Sequence, residues 1–280
     1  MNMGWRVDAA VSGFFDSLDH DRLREMLQQR VKDGSILRLI GKWLKAGVLE
    51  GETLTQPETG SPQGAVISPM LGNLFRHQVL DEWYVQDVRP RLGGRSFLIR
   101  CGADCVIGCE YAADARRILA VLPKRFARFG LTLHPQKTAL VPFSKPTARE
   151  AEARGRGTFE FLGFTHYGTR SRRRYWVIKQ RTAKNRVHRT VKTLWQWCRY
   201  NRHVKVTEQY RVLCQKLRGH YQYYGIRGNY RLLAEVVQQG EKAWRYWLNR
   251  RSQKGTLTGD NLERWRALFP LPTPRISHSI

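Results

Sequence analysis

Three groups of side chains in this sequence are of types that do chemistry. The first is acidic: Asp8, Asp16, Asp19 and Asp21 fall close together early in the chain, and Asp104 stands alone between two apolar runs. Carboxylates that converge hold divalent cations. Asp16-Ser17-Leu18-Asp19-His20-Asp21 is, however, a cluster of turn and helix-capping types, so these three acids are read as structural. The second group is Cys101, Cys105 and Cys109, recurring every four residues. No pair has the CxxC spacing that brings two thiolates onto one zinc, and these cysteines, with Cys198 and Cys214, are read as reduced and structural. The third group is cationic. Arg181, Lys184, Arg186, Arg189 and Lys192 recur at spacings of three and four, which gathers charge along one helix face, as do Arg211, Lys216 and Arg218. Aromatic residues interleave, among them Trp195, Tyr210 and Tyr221. Phosphate contacts beside stacking surfaces suit structured RNA with unpaired bases. The plain alternative is a helix-bundle core under a solvated basic shell.

The composition favours the first reading of those cations. The 280 residues carry 49 Lys and Arg against 23 Asp and Glu, a net charge of +26, while 41% are hydrophobic and 11% aromatic. So much apolar content excludes simple disorder. A folded chain this basic is drawn to a polyanion, because each cation placed on a phosphate releases a condensed counterion. No stretch approaches the ~20 consecutive apolar residues that span a bilayer, and the first residues lack the apolar core of a secretory signal. The expectation is a cytoplasmic protein with no membrane partner.

The elements that position these residues follow from periodicity. Val7 to Phe15 reads as a buried strand, then a helix keeps Leu23, Met26, Leu27 and Val31 on one face. Gly60-Ser61-Pro62-Gln63-Gly64 reads as the start of a second helix running through Met70, Leu71 and Val79 to Trp83. Phe97–Arg100 and Cys105–Gly108 flank Cys101-Gly102-Ala103-Asp104 as a β-hairpin. A third helix occupies residues 113–129, short strands follow to 143, and 144–157 reads as a surface excursion. From about Thr182 strands vanish and basic, aromatic helices take over. The expected organisation is a mixed helix-and-strand domain over 1–180, a helical domain over 181–255 and a C-terminal extension over 256–280 that carries an extended proline-rich end at 269–274.

Several segments in order carry a resemblance. Asp8-Ala9-Ala10-Val11-Ser12-Gly13-Phe14-Phe15-Asp16 followed by the Gly60–Asn73 segment, the hairpin, Gly130-Leu131-Thr132-Leu133-His134-Pro135-Gln136-Lys137-Thr138, Phe161-Leu162-Gly163-Phe164 and Arg218–Gly225 resembles the group II intron reverse transcriptase/maturase family over nearly the whole chain. The resemblance implies an α+β fold: a reverse-transcriptase palm with an antiparallel sheet and packed helices, then an all-α basic thumb or maturase domain. It implies RNA-directed DNA polymerisation with Mg²⁺, in which carboxylates hold two ions that activate a primer hydroxyl and steady the pyrophosphate.

The family's pattern places its metal-binding acids at Ala10 and at Ala103, so only Asp104 remains, and Mg²⁺ binding is expected to be weak or absent. Asp8 shares a strand face with Ala10 but lies about 6 to 7 Å farther along. Tyr111-Ala112-Ala113-Asp114 mimics part of the motif yet opens a helix. Phe15, Gln63 and Gly64 match nucleotide-contacting positions, and Lys137 matches a lysine proposed to meet the pyrophosphate. Arg181, Lys184, Arg186, Arg189, Lys192, Arg211, Lys216, Arg218 and Tyr221 are the candidate RNA contacts. The resemblance leads to the expectation that the family's N-terminal fingers region is missing ahead of the first strand and that the palm surface so exposed meets a protein partner or second chain. The leading reading is a fragment that binds structured, intron-like RNA with polymerase activity lost. A second keeps polymerase activity or attributes the alanines to engineered inactivation. A third is a general basic nucleic-acid-binding protein, for RNA or DNA, on a reused polymerase scaffold.

Overall fold

The computed structural model describes residues 4–45, 48–50, 53–55, 60, 66–143, 158–171, 173, 175–251 and 257–278. The chain divides into two compact units, Met1–Gly157 and Thr158–Ile280.

The first unit is organised by its first strand. β1 (Trp5–Ser12) is rich in small and branched residues, and it is paired along both edges. The hairpin strands β4 (Ser96–Cys101) and β5 (Asp104–Cys109) lie on one side, while β6 (Thr132–Leu133) and β7 (Ala139–Pro142) lie on the other, all antiparallel. A separate small hairpin joins β2 (Val48–Glu50) to β3 (Thr53–Thr55). Helices α1 (His20–Gln28), α2 (Gly34–Lys45), α3 (Ser68–Arg76) and α4 (Ala112–Ala127) supply the apolar partners of the sheet. Val7 and Ile107 meet Tyr84 and Ile118 in one cluster, and Ala9 and Cys105 meet Phe75, Leu122 and Phe126 in another.

Local chemistry sets the helix ends. The Asp19 carboxylate accepts from the backbone N–H groups of Asp21 and Arg22 at 3.0 and 3.1 Å, capping α1 as its residue type leads one to expect. Asp33 does the same for α2 through Ser35 N–H at 2.7 Å. The helix expected to open at Gly60 instead begins at Ser68 with Pro69 in its first turn, and continues in wider π-type turns to Val88. Ser61 and Pro62 lie outside the described residues. β1 ends at Ser12 rather than Phe15 because Gly13, with φ of +50°, starts a turn there.

The second unit couples a small sheet to a helix bundle. β8 (Phe159–Phe161), β9 (Phe164–Arg170) and β10 (Trp176–Thr182) form a meander, followed by α5 (Lys184–Tyr200), α6 (Val206–Tyr224), α7 (Tyr230–Leu248) and α8 (Asp260–Leu268). The β8–β9 connection has Leu162 and Gly163 both at positive φ, the geometry that matches a tight hairpin to strand twist. A Cβ on Gly163 would lie 3.0 Å from the Tyr224 hydroxyl, and the Tyr223 hydroxyl donates to Leu162 O at 3.0 Å. Leu194, Leu213, Leu233, Trp244 and Trp265 form the core. The Trp244 indole N–H donates to Gln209 Oε1 at 2.7 Å, and the Gln209 amide donates in turn to Val204 O, so a wholly buried Trp has its polar atom satisfied.

These contacts correct three expectations. The division falls at 157/158 and not near 180, because the β8–β10 meander is fastened to the bundle: buried Asn229 accepts from Thr182 N–H at 3.0 Å and donates to Thr182 Oγ1 and Tyr224 O. Arg181 lies on β10, not on the helix, and its guanidinium sits 5.2 Å from the Tyr167 ring. The region after 255 is more than an extended end: α8 contributes buried Trp265, and the proline-rich residues are strapped down where the hydroxyls of Tyr210 and Tyr221 donate to Pro270 O and Pro272 O. Asn229→Ala removes three hydrogen bonds and leaves buried groups of Thr182 unpaired, so we expect the second unit to lose about 2–4 kcal/mol in urea unfolding; a loss below about 0.5 kcal/mol would show that Asn229 does not fasten the meander.

Candidate active site and nucleic-acid interface

β1 and the β4–β5 hairpin bring together Ala10, Asp104 and Asp8 on one face of the sheet. Antiparallel pairing sets Ala10 directly opposite Asp104, so the two side chains share a face of the sheet. Val11 N–H donates to Ala103 O at 3.3 Å across the hairpin turn, and Ala10 O accepts from His134 N–H at 2.7 Å. That second bond anchors the His134–Thr138 turn, so exposed Lys137 is carried on a loop fixed to the same end of β1. Ala10 is 5% exposed and presents a methyl group beside Asp104.

Asp8 is the second carboxylate on this face. It pairs with Val106, two residues from Asp104, a displacement of about 7 Å at ~3.4 Å per residue. It is tied to the Arg6 guanidinium, itself buried. Burial raises the Asp8 pKa, the Arg6 charge opposes that rise, and Asp104 adds to it, so the two acids already repel one another weakly. Asp8 Oδ1 is buried and has no hydrogen-bond partner among the described residues. A pair of Mg²⁺ ions ~3.5–4 Å apart needs carboxylates that reach both. No three acidic, His or Cys side chains converge among the described residues. The donor set does not fit a two-ion centre.

The far side of the hairpin turn carries the opposite charge. Arg76, 3% exposed, stacks 3.7 Å from the Phe14 ring centroid. Arg76, Arg100 and Ala103 line one small cavity with Ala9, Val11 and Cys105. Arg100 is well paired, donating at 2.9 and 2.8 Å to the two oxygens of Asp81. Arg76 is not: its Nε and one terminal nitrogen are buried without partners among the described residues. Burial and repulsion from Arg100, partly offset by Cys105, Asp104 and Asp81, push its pKa down to about 10.

The remaining nucleotide-site positions are partly described. Phe15 is half-buried, edge-on to Phe14 at 5.3 Å. Helix α3 approaches both rings at Gly72, where a Cβ would come within 2.7 Å of Phe14 and 3.2 Å of Phe15. Gly60, at φ of +91°, is pinned beside Phe15 by its N–H bond to Leu18 O, in a place where a Cβ would strike backbone at 2.7 Å. Gln63 and Gly64 lie outside the described residues. Asp114, the alternative acid, is buried and accepts from the N–H groups of Gly93 and Gly94, a structural role.

In the second unit Arg181, Lys184, Arg186, Arg189, Lys192, Arg211, Lys216 and Arg218 are all exposed. Arg211 is already paired with Glu208 at 2.6 Å, which reduces what it offers a phosphate. Lys216 lies 5.8 Å from the Trp197 ring, and Arg186 and Arg189 are close enough to Tyr224 to oppose the rise in its pKa caused by burial. Tyr221 does not belong with them. At 3% exposure its ring is in the core and its hydroxyl is spent on Pro272 O, because the α6 face that carries it is the buried one. Sequence reasoning passed over Arg76 and the Trp195–Tyr246 contact, 5.0 Å between centroids; a lone Arg within an apolar helical run was the available signal for the first.

An antiparallel sheet whose central strand faces a hairpin turn, backed by helices, is a palm of the reverse-transcriptase type. Residues 4–166, more than half of the chain, match the family model described as reverse transcriptase (RNA-dependent DNA polymerase), and the chain belongs to that family. Among curated proteins it is similar to the group II intron-encoded protein LtrA of Lactococcus lactis subsp. cremoris, 38% identical over 82 residues, which are 29% of this chain and 14% of that relative. It is also similar to Protein YkfC of Escherichia coli, 28% identical over 127 residues, 39% of this chain and 33% of that relative. The similarity thus spans a third or less of either relative's length. Among solved structures an apo telomerase from Candida tropicalis shares the fold, with a TM-score of 0.51 at 11% identity over 97% of this chain and 46% of that one.

Two outcomes test this geometry. Alkylation of the folded protein at pH 8 should label Cys101, exposed in the hairpin turn, and spare Cys105 and Cys198, whose pKa burial pushes up to about 12, and Cys109, pushed up to about 11; peptide mass spectrometry reads the sites. Ala103→Asp should pair with Arg76 and stabilise the first unit by about 1–3 kcal/mol at pH 7. A folded carboxylate with a depressed pKa contributes above its unfolded value and loses that contribution as pH falls, so the gain should vanish by pH 3. An unchanged or lower stability at pH 7 would show that Arg76 does not face position 103.

Proposed function

We propose that this chain is a group II intron-type reverse transcriptase/maturase polypeptide that binds structured RNA and does not polymerise DNA. The observation that carries the reading is the register of β1 on β5, with Ala10 opposite Asp104. The family's chemistry needs a cluster of acids there to hold Mg²⁺, and Asp104 with an Arg-bound Asp8 is a poor substitute. Lys137 and Phe15 would still meet a nucleotide's phosphates and sugar, but only weakly, since little divalent charge would compensate the triphosphate.

RNA binding is assigned to the second unit. Its exposed cations and a net charge of +26 for the chain supply the electrostatic term, and exposed rings beside them supply stacking. The LtrA relative is described as group II intron-encoded, which supports intron-like RNA as the ligand class.

The test is a binding series at several salt concentrations, with a folded intron-type RNA, a random RNA of equal length and a DNA duplex, run beside primer extension in Mg²⁺ and Mn²⁺. The folded RNA should bind at least tenfold more tightly than either competitor at equal salt, and no extension product should form. Equal binding to all three would replace the maturase reading with general polyanion binding. Mg²⁺-dependent extension would refute the loss of polymerase activity.

A further inference from the structure

The aromatic and basic side chains shared by α5 and α7 form a patch that lies outside the Arg and Lys contacts assigned above, except at Lys192. On α5, Trp195 sits between Lys192 and Arg199 at spacings of three and four; on α7, Lys242 and Tyr246 are four apart, and Arg250 lies in the turn just past the helix end. Those spacings place the α5 trio on one helix face and Lys242 with Tyr246 on another. The two faces meet: the Trp195 and Tyr246 rings are 5.0 Å apart, and Trp247 lies edge-on to both at 6.0 and 5.1 Å. The Arg250 guanidinium is 4.4 Å from the Tyr246 ring, and that of Arg199 is 5.7 Å from the Trp247 ring.

These rings are not spent on the core. Trp195 is 37% and Tyr246 38% exposed, although wholly buried Trp244 and buried Leu248 on the same helix show that α7 has a separate inner face. Exposed aromatic surface is normally minimised, and here Arg250 and Arg199 lie against the ring cluster with Lys192 and Lys242 spaced beside it. A protein partner with an apolar face would leave those cations desolvated and unpaired. A strand of unpaired nucleotides satisfies both: bases stack on the rings and phosphates meet the Lys and Arg side chains. Lys192 and Arg199 are seven residues apart, about 10 Å along the helix, a span that a short run of extended nucleotides covers.

We propose that the α5–α7 face is a stacking platform for a single-stranded segment of RNA that shares only Lys192 with the cationic contacts assigned above. The proposal rests on the RNA-binding reading above and assigns it a second, base-contacting site. The ligand class is unpaired, purine-rich RNA, since larger rings stack over more area. Paired regions are excluded because their base faces are already covered.

The probe is a fluorescein-labelled oligo(A) RNA of twelve nucleotides, compared by anisotropy with an RNA hairpin of matched phosphate number at one salt concentration. Trp195→Ala with Tyr246→Ala should weaken oligo(A) binding roughly 10- to 100-fold, as loss of one or two stacked bases implies, while changing hairpin binding less than threefold. Trp195→Phe with Tyr246→Phe, which keeps the rings, should retain affinity within about threefold and provides the readout if the alanine variant fails to fold. Lys242→Gln with Arg250→Gln should lower the salt dependence of oligo(A) binding by about two ion equivalents.

Equal losses on both RNAs, or no loss on oligo(A), would overturn the platform. So would self-association by light scattering that Trp195→Ala abolishes without any effect on RNA, which would make the face a protein contact. If the unmodified chain binds the hairpin but not oligo(A), the platform fails alone. If it binds neither, the RNA-binding reading fails with it.

Discussion

The strand from Trp5 to Ser12 is paired on both edges, and the first unit is built outward from it. Because side chains alternate across a sheet, this pairing leaves no freedom in what faces what: a one-residue slip would turn Val7 and Ala9 out of the core and Arg6 and Asp8 into it. The register that buries the apolar residues therefore also fixes Ala10 against Asp104, and His134 N–H against Ala10 O. The palm is thus held by hydrogen bonds and apolar burial that need no acid at position 10 or 103.

That independence lets the palm fold with alanine at both positions. The buried charge nearby is unbalanced. Arg6 is buried against Asp8 on one face, and Arg76 is buried against Phe14 on the other with part of its guanidinium unpaired among the described residues. A buried cation without a partner is expensive to keep charged. Cation–π contact with Phe14 and the nearby Asp104 and Asp81 offset part of that penalty. An acid at position 103 would lie beside Arg76 and Arg100.

Much of the palm was legible from residue types. Asp19 caps α1, Gly102 turns the hairpin between Cys101 and Asp104, and Gly130 ends the helical segment before β6, each for reasons local to a few residues. The positions of Ala10, Asp104 and Lys137 relative to one another followed from those elements and a family resemblance. What was hidden is tertiary. Tyr221 has neighbours of the RNA-contacting type in sequence, but its helix turns it inward onto Pro272. Arg181 fits a helical spacing, yet the meander that holds Thr182 to Asn229 keeps it in a strand. The same kind of contact, between helices far apart in sequence, creates the Trp195–Tyr246 surface and fastens the proline-rich end that periodicity alone leaves extended.

The central claim is that the sheet retains polymerase geometry without a metal centre, and Mn²⁺ binding measured by electron paramagnetic resonance tests it most directly. The account predicts that the chain binds Mn²⁺ no more tightly than an Asp104→Asn variant, and that Ala10→Asp with Ala103→Asp and Arg76→Met gains a site, because the palm backbone is already in register and the competing cation has been removed. Tight Mn²⁺ binding by the unmodified chain that Asp104→Asn or Asp8→Asn abolishes would contradict it, showing that these two acids suffice to hold the ion.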